Sequence, residues 1–159
     1  MTSPSPELCD LFVYGTLLYP EVVYALTGES LRAAPARLPD YQRFAVRPPG
    51  RSGRGPVIFP EPGGVVEGGL LRNVSAAARE LIDRFEAAGG GYQRCQVMVQ
   101  TGDGEPAVPA WAYVGEEQLR EHRVGTWSIE DFEGADLQWY LTERLPSLRR
   151  EWGLPPTLA

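Results

Sequence analysis

Two groups of residues have types and spacing suited to chemistry. The first is Tyr14-Gly15-Thr16-Leu17, which closes an apolar run and is followed by Pro20, a residue that suits the start of a helix. A strand that stops at a glycine and turns into a helix leaves backbone N–H groups without partners. Such groups can hold an anion or a developing oxyanion, and glycine lets the backbone come close to a ligand because no Cβ intervenes. By itself the pattern fits a plain strand-to-helix connection at least as well. The second is Glu86. On a helix that begins after Ser75, the residues Ala78, Leu81, Ile82 and Phe85 share one apolar face at about 100° per residue. Glu86 lies only about 40° from Ile82, at the edge of that face, while Glu80 and Arg84 point toward solvent. Partial burial and a place in the last helical turn both push a carboxyl pKa upward. A glutamate tuned toward neutrality can take and return a proton at physiological pH. The plainer alternative pairs Glu86 with Arg94 or another arginine in a structural ion pair.

Other chemistries find little support. Cys9 and Cys95 stand far apart with no CxxC partner, and the one histidine is His122. That count leaves no zinc ligand set, so no metal is expected. His122 falls in the charged stretch Glu116 to Arg123, where a surface residue is expected rather than the base of a triad. The burden falls on carboxylates, hydroxyls and backbone amides. The chain has 159 residues, 43% apolar and 23% charged, with net charge −6, which fits one globular domain. All 15 basic residues are arginine. They form no dense stripe, which disfavours nucleic acid as a partner. Arg47, Arg51 and Arg54 cluster among Pro and Gly and read as a solvated loop that could attract an anionic group. No apolar run is long enough to span a membrane, and residues 1–9 read as a Ser/Pro-rich flexible tail rather than a leader. A cytoplasmic location is expected.

Several elements must position these groups. Asp10 to Tyr14 reads as a strand buried on both faces, and Glu21 to Leu26 as a short helix closed by Gly28. Ala34 to Leu38 and Tyr41 to Val46 read as strands around the turn Pro39-Asp40. Val57 to Phe59 is a short strand, Glu61 to Gly64 a turn, and Val65 to Val74 a strand whose Gly68 and Gly69 mark a bulge or a close backbone approach. Ser75 caps a helix from Ala76 to about Ala87, ended by Gly89 to Gly91. Tyr92 to Thr101 and Ala107 to Val114 form a hairpin. Leu119 to Val124 reads as helical, and Ile129 to Leu145 as a longer helix stopped at Pro146. Trp111, Trp127, Trp139 and Trp152 read as core or cavity wall. Short strands mixed with a few helices imply an α+β fold with a small mixed β-barrel and surrounding helices. One domain is expected over residues 10–152, with a C-terminal tail at 153–159.

Six stretches, in order, carry a resemblance: Phe12-Val13-Tyr14-Gly15-Thr16-Leu17, Pro56-Val57-Ile58-Phe59-Pro60, Val66-Glu67-Gly68-Gly69-Leu70-Leu71, Leu81-Ile82-Asp83-Arg84-Phe85-Glu86, Tyr92-Gln93-Arg94 and Ala110-Trp111-Ala112-Tyr113-Val114. With them the chain resembles the gamma-glutamylcyclotransferase-like, or AIG2-like, family. The resemblance implies a compact mixed β-barrel with helices around it and no cofactor. It implies a small gamma-glutamyl substrate bound by Tyr14, Gly15, Thr16 and Leu17, with Glu86 as the acid/base catalyst. Tyr92 and Arg94 match a Tyr-x-Arg that follows, where barrel packing and a salt bridge are the expected roles and substrate contact a secondary one. The implied reaction closes a ring within the substrate and releases 5-oxoproline and an amine. A catalytically silent AIG2-like domain that binds a small ligand or a partner is the alternative. Two departures stand out: Ala87 occupies a position usually held by glycine, and the stretch from Glu86 to Tyr92 is about two residues longer than usual. Gly89 to Gly91 would take up the difference as a loop.

Overall fold

The structure is a computed structural model and describes residues 8–47 and 55–157. Arg51, Arg54 and most of the expected N-terminal tail lie outside the described residues. The described strands are β1 (Cys9–Val13), β2 (Ala34–Val46), β3 (Gly55–Val74), β4 (Tyr92–Val99), β5 (Val108–Gly115) and β6 (Arg123–Gly125). They make one sheet in the order β4-β5-β1-β3-β2-β6. The fold class is α+β, as read from the sequence. The barrel is loose, because the ladder does not run round continuously. Instead the sheet curls until Arg37 of β2 and Gln100, just past β4, exchange two backbone hydrogen bonds of 2.8 and 2.9 Å.

β1 lies in the middle of the sheet, antiparallel to β3 and parallel to β5. Its residues alternate between two cores. Phe12 and Tyr14 point into the curl of the sheet with Leu38, Ile58 and Val97. Leu11 and Val13 point outward onto the helices with Val22, Ile82 and Leu145. Burial on both faces accounts for the unbroken apolar run. Gly68 of β3 crosses so close behind that a Cβ there would sit 2.3 Å from the Val13 carbonyl oxygen. No side chain fits, so the glycine lets β1 end where it does.

The strands around Asp40 differ from expectation in extent. β2 and β3 are each continuous and pair along most of their length, with a register shift between Pro39 and Tyr41. Asp40 takes a positive φ of 64°, and its carboxylate accepts the Gly63 N–H at 3.0 Å. The expected turns at Pro39-Asp40 and Glu61 to Gly64 are thus a facing bulge inside one long bent ribbon.

Helix α1 (Pro20–Thr27) starts with proline in its first turn and ends at Gly28, whose φ is 78°. Helix α2 (Ala76–Gly89) starts from Ser75, whose Oγ accepts the Ala78 N–H at 3.1 Å. The segment after Glu116 is a 3-10 turn (Glu117–His122) leading into β6, not one helix to Val124. His122 is half-buried at the end of that turn, and its carbonyl accepts the Arg47 N–H at 3.0 Å. The C-terminal helical run covers residues 129–151 and passes straight through Pro146. Its π-wound segments, Phe132–Asp136 and Tyr140–Arg144, change the bonding register. Pro146 then stands at the start of a fresh turn, Leu145–Glu151, where its missing N–H removes nothing. Trp127 is buried, Trp111 and Trp152 are half-buried, and Trp139 departs from expectation at 49% exposed. Among the described residues no helix is long and apolar enough to cross a membrane.

Candidate active site

The turn after β1 is buried: Gly15, Thr16 and Leu17 are all covered by the fold. A single 3-10 turn (Thr16–Leu18) joins β1 to α1. Its first backbone bonds run from the Leu18 N–H to the Gly15 carbonyl at 2.9 Å and from the Tyr19 N–H to the Thr16 carbonyl at 3.4 Å. Among the described residues nothing accepts the N–H groups of Gly15, Thr16 and Leu17. Buried backbone donors are rarely left so, and water or a ligand is their usual partner.

Both sides of the turn are pinned. A Cβ at Gly15 would fall 2.3 Å from Pro56 Cγ, so the glycine is required by close approach. Tyr92 donates its hydroxyl to the Pro56 carbonyl at 2.8 Å and so holds that proline beside the turn. The Tyr14 hydroxyl donates to the Tyr113 carbonyl at 2.6 Å, deep between the sheet's inner residues. The Tyr14 carbonyl accepts from Arg43 Nη1 at 2.7 Å. Arg43 in turn lies over the Trp127 ring, 5.1 Å from its centroid.

Glu86 stands in the last turn of α2, half-buried, at the edge of the apolar face formed by Ala78, Ile82 and Phe85. The helix does not break at Ala87. It runs on through Gly89 and stops at Gly90, whose N–H bonds back to the Glu86 and Ala87 carbonyls at 3.1 and 3.0 Å. The longer spacing to Tyr92 is therefore partly helix and partly a left-handed Gly90-Gly91 turn, not a free loop. Among the described residues the Glu86 carboxylate has no ion pair and no hydrogen bond. Burial, and secondarily the negative charge of Asp83, push its pKa up to about 8. The structural pairing with Arg94 does not occur. Arg94 binds Asp83 instead, at 3.0 and 3.2 Å, and lies over the Trp111 ring at 5.0 Å. The Tyr113 hydroxyl donates to the same Asp83 carboxylate.

The Glu86 charge is felt at Tyr14, the first residue of the turn. The Tyr14 phenol is pushed well above its usual pKa, first by burial and next by the Glu86 charge. Tyr113 is raised by burial and by its bond to Asp83, with a smaller part from Glu86. The structure thus sets Tyr14, Gly15, Thr16 and Leu17 in one buried turn, places Glu86 near enough for its charge to act on the Tyr14 phenol, and ties Tyr92 to Pro56 and Arg94 to Asp83. Sequence reasoning overlooked Asp83, Tyr113 and Arg43. Asp83 was findable, since residues three apart on a helix share a face. Arg43 was not, because it reaches the turn from a strand 29 positions away. Among the described residues no three His, Cys, Asp or Glu side chains gather into a metal site.

Comparison with known proteins places the chain in a wider group. A family model for gamma-glutamyl cyclotransferase, AIG2-like, matches residues 11–130. AIG2-like protein C of Arabidopsis thaliana is 31% identical over 133 residues, 84% of this chain and 74% of that protein. A solution structure from Arabidopsis thaliana superposes with a TM-score of 0.63 at 24% identity, covering 96% of this chain and 88% of that one. A structure of gamma-glutamyl cyclotransferase gives a TM-score of 0.64 at 16% identity, covering 91% of this chain and 99% of that one, a likeness of fold.

Proposed function

The chain belongs to the gamma-glutamyl cyclotransferase, AIG2-like family, and on that premise we propose that it is a cofactor-independent cyclotransferase acting on a gamma-glutamyl amine in the cytoplasm. The observation that carries this reading is a half-buried Glu86, unpaired among the described residues, whose charge reaches Tyr14, the first residue of a buried turn with three N–H groups that have no acceptor among the described residues.

The reaction needs little beyond these groups. The nucleophile is the substrate's own α-amine, so no serine or cysteine has to be activated. The site folds the glutamyl chain until that amine faces the side-chain carbonyl, which turns flexibility into effective molarity. Glu86 takes a proton from the α-ammonium, and the freed nitrogen attacks the γ-carbonyl. The tetrahedral intermediate places negative charge on the former carbonyl oxygen, where the N–H groups of Gly15, Thr16 and Leu17 are suited to receive it or the α-carboxylate. Glu86 then returns its proton to the departing nitrogen as the C–N bond breaks, and the ring nitrogen gives up its second proton to the freed amine or to water. The products are 5-oxoproline and a free amine, with no atom gained or lost. Asp83, itself held by Arg94 and Tyr113, keeps a negative charge beside Glu86 and raises its affinity for the proton it must pick up.

The test is a panel of gamma-glutamyl amines and dipeptides with detection of 5-oxoproline, run on the wild type and on Glu86→Gln. The wild type is expected to release 5-oxoproline from at least one of them. Glu86→Gln is expected to lose turnover by a factor of about 100 or more while still folding. Unchanged release by that variant removes Glu86 from the mechanism. A folded wild type that releases nothing from the whole panel favours a silent ligand-binding domain instead.

A further inference from the structure

Arg43 is a basic side chain that the reaction above does not use, yet it touches the first residue of the turn. Its Nη1 donates to the Tyr14 carbonyl at 2.7 Å and, more weakly, to the Glu67 carbonyl at 3.5 Å. Its guanidinium lies over the Trp127 ring. Among the described residues no carboxylate lies within ion-pair distance of it. Glu130 acts on it only through space, and burial lowers its pKa. A half-buried arginine without a counter-ion has its charge free to act on whatever it contacts.

What it contacts is the peptide group between Tyr14 and Gly15. That group is planar and trans, so its carbonyl and the Gly15 N–H point in opposite directions. A cation gripping the oxygen fixes the plane and therefore the direction of the N–H. It also draws electron density toward the oxygen, which makes the N–H a stronger donor. The Gly15 N–H is buried and has no acceptor among the described residues. Tyr14 itself is held at its far end by the Tyr113 carbonyl, so the unit is fixed at both ends.

We propose that Arg43 is the positioning residue of the turn: by holding the Tyr14 carbonyl it aims and polarises the Gly15 N–H toward the anionic oxygen of the bound ligand. This rests on the cyclotransferase reading for the identity of that oxygen, but not for the geometry. Arg43 acts through the peptide and does not touch the substrate. With the oxyanion of the tetrahedral intermediate as the oxygen the Gly15 N–H receives, loss of Arg43 weakens stabilisation of the transition state more than binding of the substrate.

Two measurements on Arg43→Met and Arg43→Lys test this. Methionine keeps much of the apolar stem and no donor, whereas lysine restores one charged donor. With a gamma-glutamyl amine that the wild type turns over, Arg43→Met is expected to lower kcat by about 10- to 100-fold with KM within about threefold, less than the loss of an oxyanion donor itself. Arg43→Lys is expected to recover most of it. An unchanged kcat, or a rise in KM alone, overturns the proposal, as does a lysine variant as impaired as the methionine one. The second measurement is the Gly15 amide signal in proton–nitrogen NMR during titration with 5-oxoproline. It is expected to move in the wild type and in Arg43→Lys, and to move much less in Arg43→Met. A wild type whose Gly15 signal does not respond sinks the proposal. If the wild type turns over no gamma-glutamyl compound, an Arg43-dependent Gly15 shift upholds the positioning role while the cyclotransferase reading falls. Should Arg43→Met not fold, Arg43→Gln, which keeps a neutral donor, takes its place with the same expected direction.

Discussion

Glu86 owes its proton affinity to two different causes, and they separate experimentally. Burial is the larger and belongs to the packing of α2 against the sheet, whereas the Asp83 charge sits one turn earlier on the same helix. With the carboxyl titrating at about 8, the fraction of Glu86 able to accept a proton rises with pH through that value, and kcat/KM is expected to rise along the same limb. Asp83→Asn removes a negative neighbour and frees Arg94, and both changes favour the ionised glutamate. The limb is therefore expected to move to lower pH, and a limb that stays in place assigns it to another group. The same residue sets a pH dependence of stability. An unfolded glutamate releases its proton near 4.5, the folded one near 8. Between these values the folded chain binds the extra proton, so stability falls as pH rises across that window and levels off above it. Glu86→Gln carries no such charge. Its stability relative to the wild type is expected to improve from pH 5 to pH 8.5 by up to a few kcal/mol on this linkage. Urea melts at the two pH values measure it, and a constant difference rules the linkage out.

At the scale of elements, the turn is shaped less by its own sequence than by what presses on it. Pro56 leaves no room for a Cβ at Gly15, and Tyr92 keeps Pro56 in place. Gly15→Ala is expected to force Pro56 or the turn aside, costing about 1–3 kcal/mol in stability and most of the turnover. Pro56→Ala combined with it is expected to recover part of the stability, because it removes the atom in conflict; thermal melts of the single and double variants settle this. A double variant that is merely the sum of its parts shows that the contact does not set the cost. Such contacts bear on what could be read in advance. The α2 face and the Ser75 cap follow from local spacing, and the structure shows both. The bulge at Asp40 depends on pairing between β2 and β3, and the passage of the helical run through Pro146 depends on π-winding that no local pattern signals. The turn and Glu86 were legible as chemistry because their residue types are awkward where they stand. Arg43 and the Asp83–Arg94–Tyr113 group were not, because their significance arises only when distant segments meet.

Over the whole molecule, the C-terminal segment is fastened to the last turn of α1. Arg149 is 7% exposed and donates Nη1 to the Leu26 carbonyl at 2.7 Å and Nε to the Pro155 carbonyl at 2.9 Å. Thr157 donates to the Ala25 carbonyl at 3.0 Å. Leu26 and Ala25 are among the last residues of α1, whose terminal carbonyls lack partners within the helix. A buried cation there also meets the negative end of the helix dipole. Pro155 and Thr157 are therefore tied to Arg149 and to the end of α1. Arg149→Met leaves the buried Leu26 carbonyl and the more exposed Pro155 carbonyl without these donors and is expected to cost about 2–3 kcal/mol. At about 2–4 °C per kcal/mol for a chain of this length, the melting temperature falls by roughly 5–10 °C. Thr157→Val removes a more exposed bond and is expected to cost about 1 kcal/mol. Neither is expected to change kcat well below the melt, even though α1 begins directly after the turn. The turn's position is set from the sheet side by Pro56 and Arg43, so loosening the far end of α1 leaves it in place. Thermal melts paired with turnover at 25 °C separate the two effects. A loss of kcat in Arg149→Met that matches the loss in Arg43→Met shows instead that α1 and the turn move as one body.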